Sequence, residues 1–143
     1  MSEIVNLEEW LYGVLHADNG VGGVSTLVGD RIYTDEAPAS SAYPMVLISA
    51  QAPGIDVVSI GPHRVMVATL YWIRVLGKGA SKKALATIAD RIDVLLQASG
   101  GVTASIRVLM VNREQLLGTP PITTDGVRYS QLGGLYRAYV QAP

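Results

Sequence analysis

The chain carries few side chains that could do chemistry, and none of them stands in a pattern typical of an active site. Its two histidines, His16 and His63, have no second ligand at metal-binding spacing, so we interpret them as surface or helix-end side chains. Asp35 and Glu36 are adjacent but lack the surrounding pattern of a calcium loop. No serine lies in a Gly-x-Ser-x-Gly motif, and the absence of cysteine excludes thiolate nucleophiles, thiolate metal sites and disulfides. We therefore expect no catalytic residue and no metal site.

One segment invites comparison with a phosphate-binding turn. The run from Gly77 to Ser81 follows an apolar strand and precedes a helix, as dinucleotide-binding turns do. Lys82 replaces the third glycine of that fingerprint, and the phosphate-loop pattern is missing. A flexible strand-to-helix turn is the simpler interpretation, and we expect no bound cofactor. A nucleotide-binding enzyme that uses Gly77 to Ser81 stays open as the less favoured alternative.

The elements around these residues begin with two amphipathic helices. The first starts after Asn6 and ends near Asp18, and a short helical turn is expected over Val24–Val28. Ser81 is expected to cap the second helix, whose apolar stripe ends near Leu96. Both helices present one apolar face and should pack against a sheet.

The strands are expected to form a mainly antiparallel sheet of about four strands. They are predicted at Met45 to Gln51, at His63 to Val75, from Val102 to near Asn112, and from Val127 onward. Both faces of the long second strand are apolar, which predicts cover on both sides. In the last strand the apolar parity changes across Gly133 and Gly134, which predicts a β-bulge there. The fold class is thus α+β, in a single domain spanning residues 1–143, with the two helices packed on the sheet.

Composition indicates a protein that works through protein partners. Only 16% of the residues are charged, against an expected value of about 25%, while 49% are apolar. The net charge of −1 disfavours sequence-specific nucleic-acid binding and attraction to an anionic membrane. The longest apolar run, Val65 to Ile73, is too short to span a bilayer, and the acidic N-terminal region is unlike a secretory signal. We expect a protein made and kept in a cytoplasm, with part of its surface covered by other subunits.

The predicted subunit interface lies in two loop-like segments. The arm between Pro53 and Pro62 holds four β-branched aliphatic residues where a free surface loop would carry polar ones. A carboxylate buried there without a partner would cost several kcal/mol, on the order of a whole weak subunit contact. The predicted interface residues are Ile55, Val57, Val58 and Ile60 in this arm, and Leu116 and Leu117 in the second segment.

The order of elements and several short motifs resemble a known family. After the first helix comes Leu27 to Tyr33, with the sequence Leu-Val-Gly-Asp-Arg-Ile-Tyr, and then Ala37-Pro38 and Tyr43 to Val46 lead into the first main strand. The amphipathic helix from Ala84 to Leu96 precedes a hairpin whose last strand contains Tyr136 to Val140. Over nearly its whole length the chain resembles the tail-completion or tail-terminator proteins of long-tailed bacteriophages.

The resemblance implies a structural virion protein and no enzymatic activity. Its partners would be further copies of itself in a ring, usually a hexamer, together with the tail tube protein and the head-tail connector. The ring would sit on the head-proximal end of the tail, stop tube polymerisation and join the tail to the head. It would be assembled in the host cytoplasm. A head-tail connector adaptor or stopper is the alternative from the same assembly.

Overall fold

Three helices and seven strands follow one another along the described chain. The computed structural model describes residues 2–61 and 63–141. The helices are α1 (Ser2–Ala17), α2 (Val24–Val28) and α3 (Lys82–Leu96). The strands are β1 (Ile32–Thr34), β2 (Met45–Val58), β3 (Arg64–Lys78), β4 (Ser99–Val102), β5 (Arg107–Gly118), β6 (Ile122–Thr124) and β7 (Val127–Gln141).

All these strands join one mixed sheet. The order is β1-β2-β3-β7-β5-β4, and β6 pairs with β7. The β1–β2 pair is parallel, and the other pairs are antiparallel. The expectation of about four antiparallel strands with two helices is therefore wrong. The missed strands β1, β4 and β6 have only three or four residues each, too few to show a period of two in the sequence.

The strand expected from Val102 to Asn112 is divided in the structure. A tight turn separates β4 from β5, because the Thr103 amide donates to the Ile106 carbonyl at 2.8 Å and the Thr103 hydroxyl accepts from the Ile106 amide at 3.1 Å. Beyond this turn β5 continues to Gly118, through a segment that was expected to be a loop.

The predicted β-bulge at Gly133 and Gly134 is wrong. The ladder between β3 and β7 runs without a register shift through Arg74↔Gly133 and Ile73↔Gly134. Glycine is required for space instead: a Cβ on Gly133 would overlap the Ile73 carbonyl oxygen and would lie 2.6 Å from Arg74 Cα. The residues of β7 that face the helices have even numbers along the whole strand, so the apparent parity change has no counterpart.

The helices cover one face of this sheet. Their apolar stripes form one buried cluster with alternate residues of the central strands, and Tyr71 is among its largest fully buried side chains. The Ser81 hydroxyl accepts the Ala84 amide at 3.3 Å, which confirms the predicted cap of α3. The cluster is built mainly from Leu7, Leu11 and Leu15 of α1, Leu85, Ile88 and Ile92 of α3, Tyr71, Ile73 and Val75 of β3, and Tyr136, Ala138 and Val140 of β7.

The opposite face of the sheet has no helix on it within the described residues. On β3 this helix-free face carries Met66, Leu70, Trp72 and Leu76, all of them half-buried. Both faces of β3 are therefore apolar, as predicted. The cover expected on its second face is not supplied by α1, α2 or α3. An apolar sheet face of this kind is a surface on which other subunits can pack.

Two hairpin arms extend from opposite ends of the sheet. The β2–β3 arm ends where Val58 pairs with Arg64, so the segment described above as loop-like continues β2 beyond its predicted end at Gln51. Pro62, which was expected to bound that arm, lies outside the described residues. The second arm is formed by the end of β5, by β6 and by the start of β7, and it lies beside the C-terminal end of β3, where Lys78 pairs with Tyr129.

Candidate functional site

The first group of predicted interface residues lies on the β2–β3 arm. Ile55 and Val58 each leave 60% of their surface exposed, and Ile60 in the connecting turn is fully exposed. Val57 is half-buried. The side chains are therefore available on this arm, and the pairing of β2 with β3 shifts register between Val57 and Val58.

The second group lies on β5, far from the first. Leu116 is 61% exposed and Leu117 is half-buried. Leu116 pairs with Gly134 of β7, whereas Ile55 pairs with Ala68 of β3, so the two groups lie on opposite sides of the β3–β7 pair. Three strand spacings of about 4.8 Å and five residues of about 3.3 Å separate them. The structure brings each group together but places the two groups at diagonal corners of the sheet.

Further exposed apolar side chains extend the second group, and the sequence analysis did not single them out. Val102, Leu109 and Met110 are exposed on β4 and β5, and Ile122 is 62% exposed on β6. Their signal in the sequence was the break in alternation at Leu109-Met110, where the β5–β7 register shifts. The β4–β5–β6 side of the sheet is therefore richer in exposed apolar surface than expected.

The helix-free face also holds a cation without an acidic neighbour. The Arg74 guanidinium lies over the Trp72 ring, 4.0 Å from its centroid, and its Nη1 donates to Gln131 Oε1 at 3.3 Å. Within the described residues it makes no ion pair, and burial lowers the pKa of Arg74. The Trp72 indole nitrogen and Arg74 Nε are buried without a hydrogen-bond partner in the described chain. This face thus combines apolar surface with unused donors.

Ion pairs within the chain mainly fix α1 to the rest of the fold. Arg64 Nη2 donates to Glu3 Oε1 at 2.6 Å and ties the start of α1 to β3. At the other end of α1, the Asp18 carboxylate accepts from Arg91 of α3 and from the Val24 amide. Each of these carboxyl groups has a pKa below its ordinary value; hydrogen bonds to backbone amides for Glu3 and to Arg91 for Asp18 are the largest causes. These pairs have structural roles.

Charge is divided between the two parts of the chain. Residues 1–60 contain eight acidic residues and one basic residue, a net charge of −7, whereas residues 61–143 contain four acidic and ten basic residues, a net charge of +6. The first part forms α1, α2, β1 and β2, and the second part forms the remaining elements. The β1–β2 side of the sheet is therefore acidic and the β7–β5 side is basic. The net charge of each part of the sequence, counted separately, would have revealed this asymmetry.

The turn from Gly77 to Ser81 is occupied by structural contacts. The Gly79 amide, at φ 71°, donates to the Arg128 carbonyl at 2.7 Å, and the Ser81 hydroxyl caps α3. Gly77 packs against α3, since a Cβ there would lie 2.8 Å from Leu85. The Gly79 and Ala84 amides, which a phosphate cradle would need as donors, are thus already used, which favours the interpretation as a strand-to-helix turn.

The histidines do not form a site either. His16 stacks on Tyr12 with ring centroids 5.3 Å apart, and His63 is exposed beside the tip of the β2–β3 arm. Among the described residues, no three His, Asp or Glu side chains are grouped so that they could hold a metal ion. Neither is any helix in residues 2–61 and 63–141 long and apolar enough to cross a membrane.

Comparison with known proteins shows similarity in fold to solved structures. No protein-family model matches the chain, and no curated protein sequence matches it. A chain from the virion of a native gene transfer agent particle has a similar structure, with a TM-score of 0.66 and 18% identity over 92% of each chain. A second solved chain is similar at a TM-score of 0.50 and 13% identity, over 79% of this chain and 80% of that one. At these identities the comparison establishes the shared fold.

Proposed function

We propose that this chain is a structural virion protein of a phage-like particle and acts as a tail terminator. In this role one domain, spanning residues 1–143, forms a ring on the head-proximal end of the tail tube, usually a ring of six copies in the family it resembles. The ring stops tube polymerisation and presents a surface to the head connector. The fold shared with a virion chain over 92% of both chains is the observation that carries the proposal.

The two apolar arms support assembly through unlike surfaces. Ile55 and Val58 on one corner cannot reach Leu116 on the diagonal corner of the same sheet, so each group is free to meet the other on a neighbouring copy. A contact between two different surfaces repeats head to tail, and it closes into a ring when the rotation per subunit divides a full turn. Burial of these side chains supplies the apolar part of such a contact.

The role in the tail is tested by locating the protein. Electron microscopy of tail tubes incubated with the purified, labelled chain should show label at one end of each tube and tubes that no longer elongate. Binding to the portal side of the connector would instead indicate an adaptor or stopper. Thermal stabilisation by a nucleotide would favour the enzyme alternative at Gly77 to Ser81.

The contact itself is tested by one substitution with a matched control. Val58→Asp places a charge on the β2–β3 arm and should block ring formation while the isolated subunit stays folded, because Val58 is 60% exposed. Val94→Asp changes an equally apolar side chain, 68% exposed on α3, and should leave assembly intact. Equal behaviour of the two variants in assembly would contradict the proposed contact.

A further inference from the structure

A groove between α1 and β1 combines exposed apolar walls with acidic side chains. It has a volume of about 400 Å³ and is lined by Val5, Glu8, Glu9, Tyr12 and Thr34. Asp35 and Glu36 directly follow Thr34. Val5 is 52% exposed and Tyr12 is 37% exposed, so apolar surface is open to solvent inside this acidic frame.

The carboxylates of this groove have no cation of their own. Within the described chain, Glu8, Glu9, Asp35 and Glu36 form no ion pair with a lysine or arginine. Burial and the charge of Asp35 raise the pKa of Glu8, while the hydrogen bond from the Tyr71 hydroxyl opposes this effect. The negative charges therefore repel one another in the isolated subunit, and a cationic partner would relieve the repulsion.

The second arm has the complementary character. Lys78, Lys82, Lys83 and Arg128 lie around its base and form no ion pair among the described residues. Three contacts place them there: Lys78 pairs with Tyr129, the Gly79 amide donates to the Arg128 carbonyl at 2.7 Å, and Lys82 Nζ lies 3.5 Å from the position of a Cβ on Gly118. Lys83 follows Lys82 on α3. The arm is exposed from Pro120 to Gly126; Ile122 pairs with Tyr129 at its base, beside these cations, and Asp125 lies in the turn at its tip.

We propose that the acidic groove between α1 and β1 binds the basic surface at the base of the β6–β7 arm of a second copy of this chain. This inference rests on the proposed function and names the contact that joins the ring. In this contact Glu8 and Glu9 of the groove, with Asp35 and Glu36 beside it, face the cations at the base of the arm, and exposed Val5 and Tyr12 meet Ile122, so charge and apolar surface are both matched. The acidic surface belongs to the β1–β2 side and the arm to the β7–β5 side, as a head-to-tail contact requires.

Cysteine cross-linking tests this contact cleanly because the chain has no cysteine of its own. Thr34→Cys labels the groove, and Thr123→Cys labels the arm. With a short bis-maleimide, the double variant should give a ladder of covalent oligomers. An equimolar mixture of the two single variants should stop at dimers, since each molecule then carries one reactive site. A second double variant, Thr34→Cys with Ser105→Cys in the β4–β5 turn, is the control and should give no ladder.

The outcomes separate this inference from the proposed function. If the wild-type chain forms rings or caps tubes but the Thr34/Thr123 variant gives no ladder, the groove is not the site of the arm and the tail role stands. Cross-linking of the Thr34→Cys variant to a tube subunit in place of its own copy would likewise overturn the inference. If the chain neither forms rings nor binds tube ends, the proposed function itself fails.

Discussion

Asp18 and Arg91 join the end of α1 to the middle of α3 through a bidentate ion pair. Arg91 Nε and Nη2 each donate to one Asp18 carboxylate oxygen at 2.8 Å, and the Val24 amide donates to the same carboxylate at 2.9 Å. One side chain thus fixes the start of α2 and the relative position of two helices. This carboxylate therefore supports the packing of the helices within the subunit.

We expect Asp18→Asn to destabilise the subunit by about 1–3 kcal/mol, because the amide removes a charge-assisted pair and leaves Arg91 without its acceptor. The pKa of Asp18 is lowered from 3.8 in the folded chain, chiefly by Arg91. Its contribution is therefore complete above about pH 4 and is lost as pH falls through the lowered pKa. Urea unfolding from pH 7 to pH 2 should show a wild-type advantage that shrinks only at the acid end. The control is Asp90→Asn, at an exposed carboxylate next to Arg91 on α3, which should change stability little.

A side chain at Gly133 would test how closely β3 and β7 approach each other. Gly133→Ala would push a Cβ into the Arg74 backbone, 2.6 Å from its Cα, and we expect a loss of about 3 kcal/mol or failure to fold. Gly13→Ala is the control, because nothing lies within 4 Å of a Cβ at this exposed position of α1. Replacing a helical glycine by alanine there should stabilise by about 0.5–1 kcal/mol. If Gly133→Ala unfolds at a higher temperature than Gly13→Ala, β3 and β7 do not approach closely enough at Gly133 to require glycine.

Glu8 should show opposite effects on stability and on assembly. Its raised pKa means that the ionised carboxyl opposes folding at neutral pH, and this cost disappears as pH falls through the raised pKa. Glu8→Gln should therefore stabilise the isolated subunit near pH 7, by less than about 1 kcal/mol because the side chain is only half-buried. The same change should weaken ring formation, since the groove loses a negative charge. Unfolding curves and native mass spectrometry of the one variant measure both effects.

Charge complementarity predicts that association weakens with salt and can be rescued by exchange of charges. Glu9→Arg in the groove and Arg128→Glu on the arm should each weaken association at least tenfold, because each places like charges together. Combining the two substitutions in one chain should restore much of the loss. Sedimentation at about 50 mM and 500 mM salt would check the screening. Association that is indifferent to salt and to both single changes would exclude an electrostatic contact.

The helices were largely predictable from sequence and the sheet only partly so. Ser81 and the apolar stripe of α3 gave a local signal that the structure confirms, because helix periodicity and capping are set within one element. β1 has no such signal: its three residues pair in parallel with Val46, Leu47 and Ile48 only through the tertiary fold. The end of β5 was hidden because polar Glu114 lies on an exposed strand face, where it pairs with Arg137.

The interface residues show the same limit. Ile55, Val58 and Leu116, which the sequence predicts as interface residues, are exposed in the structure. Their diagonal placement depends on strand order, which the local pattern does not contain. The acidic groove depends on it too, because Glu8 and Asp35 are brought together by the packing of α1 on β1. Whether these surfaces join subunits stays a prediction.

In the proposed ring, identical copies of this chain join through two different surfaces. High-resolution electron microscopy of tube ends capped by this protein tests it most directly. We expect a closed ring in which each contact places the β1–β2 side of one copy, with Val58 and Glu9, against the β7–β5 side of the next, with Leu116 and Arg128. A two-fold contact that buries the same surface from both copies, or a single copy bound at the tube end, would contradict it.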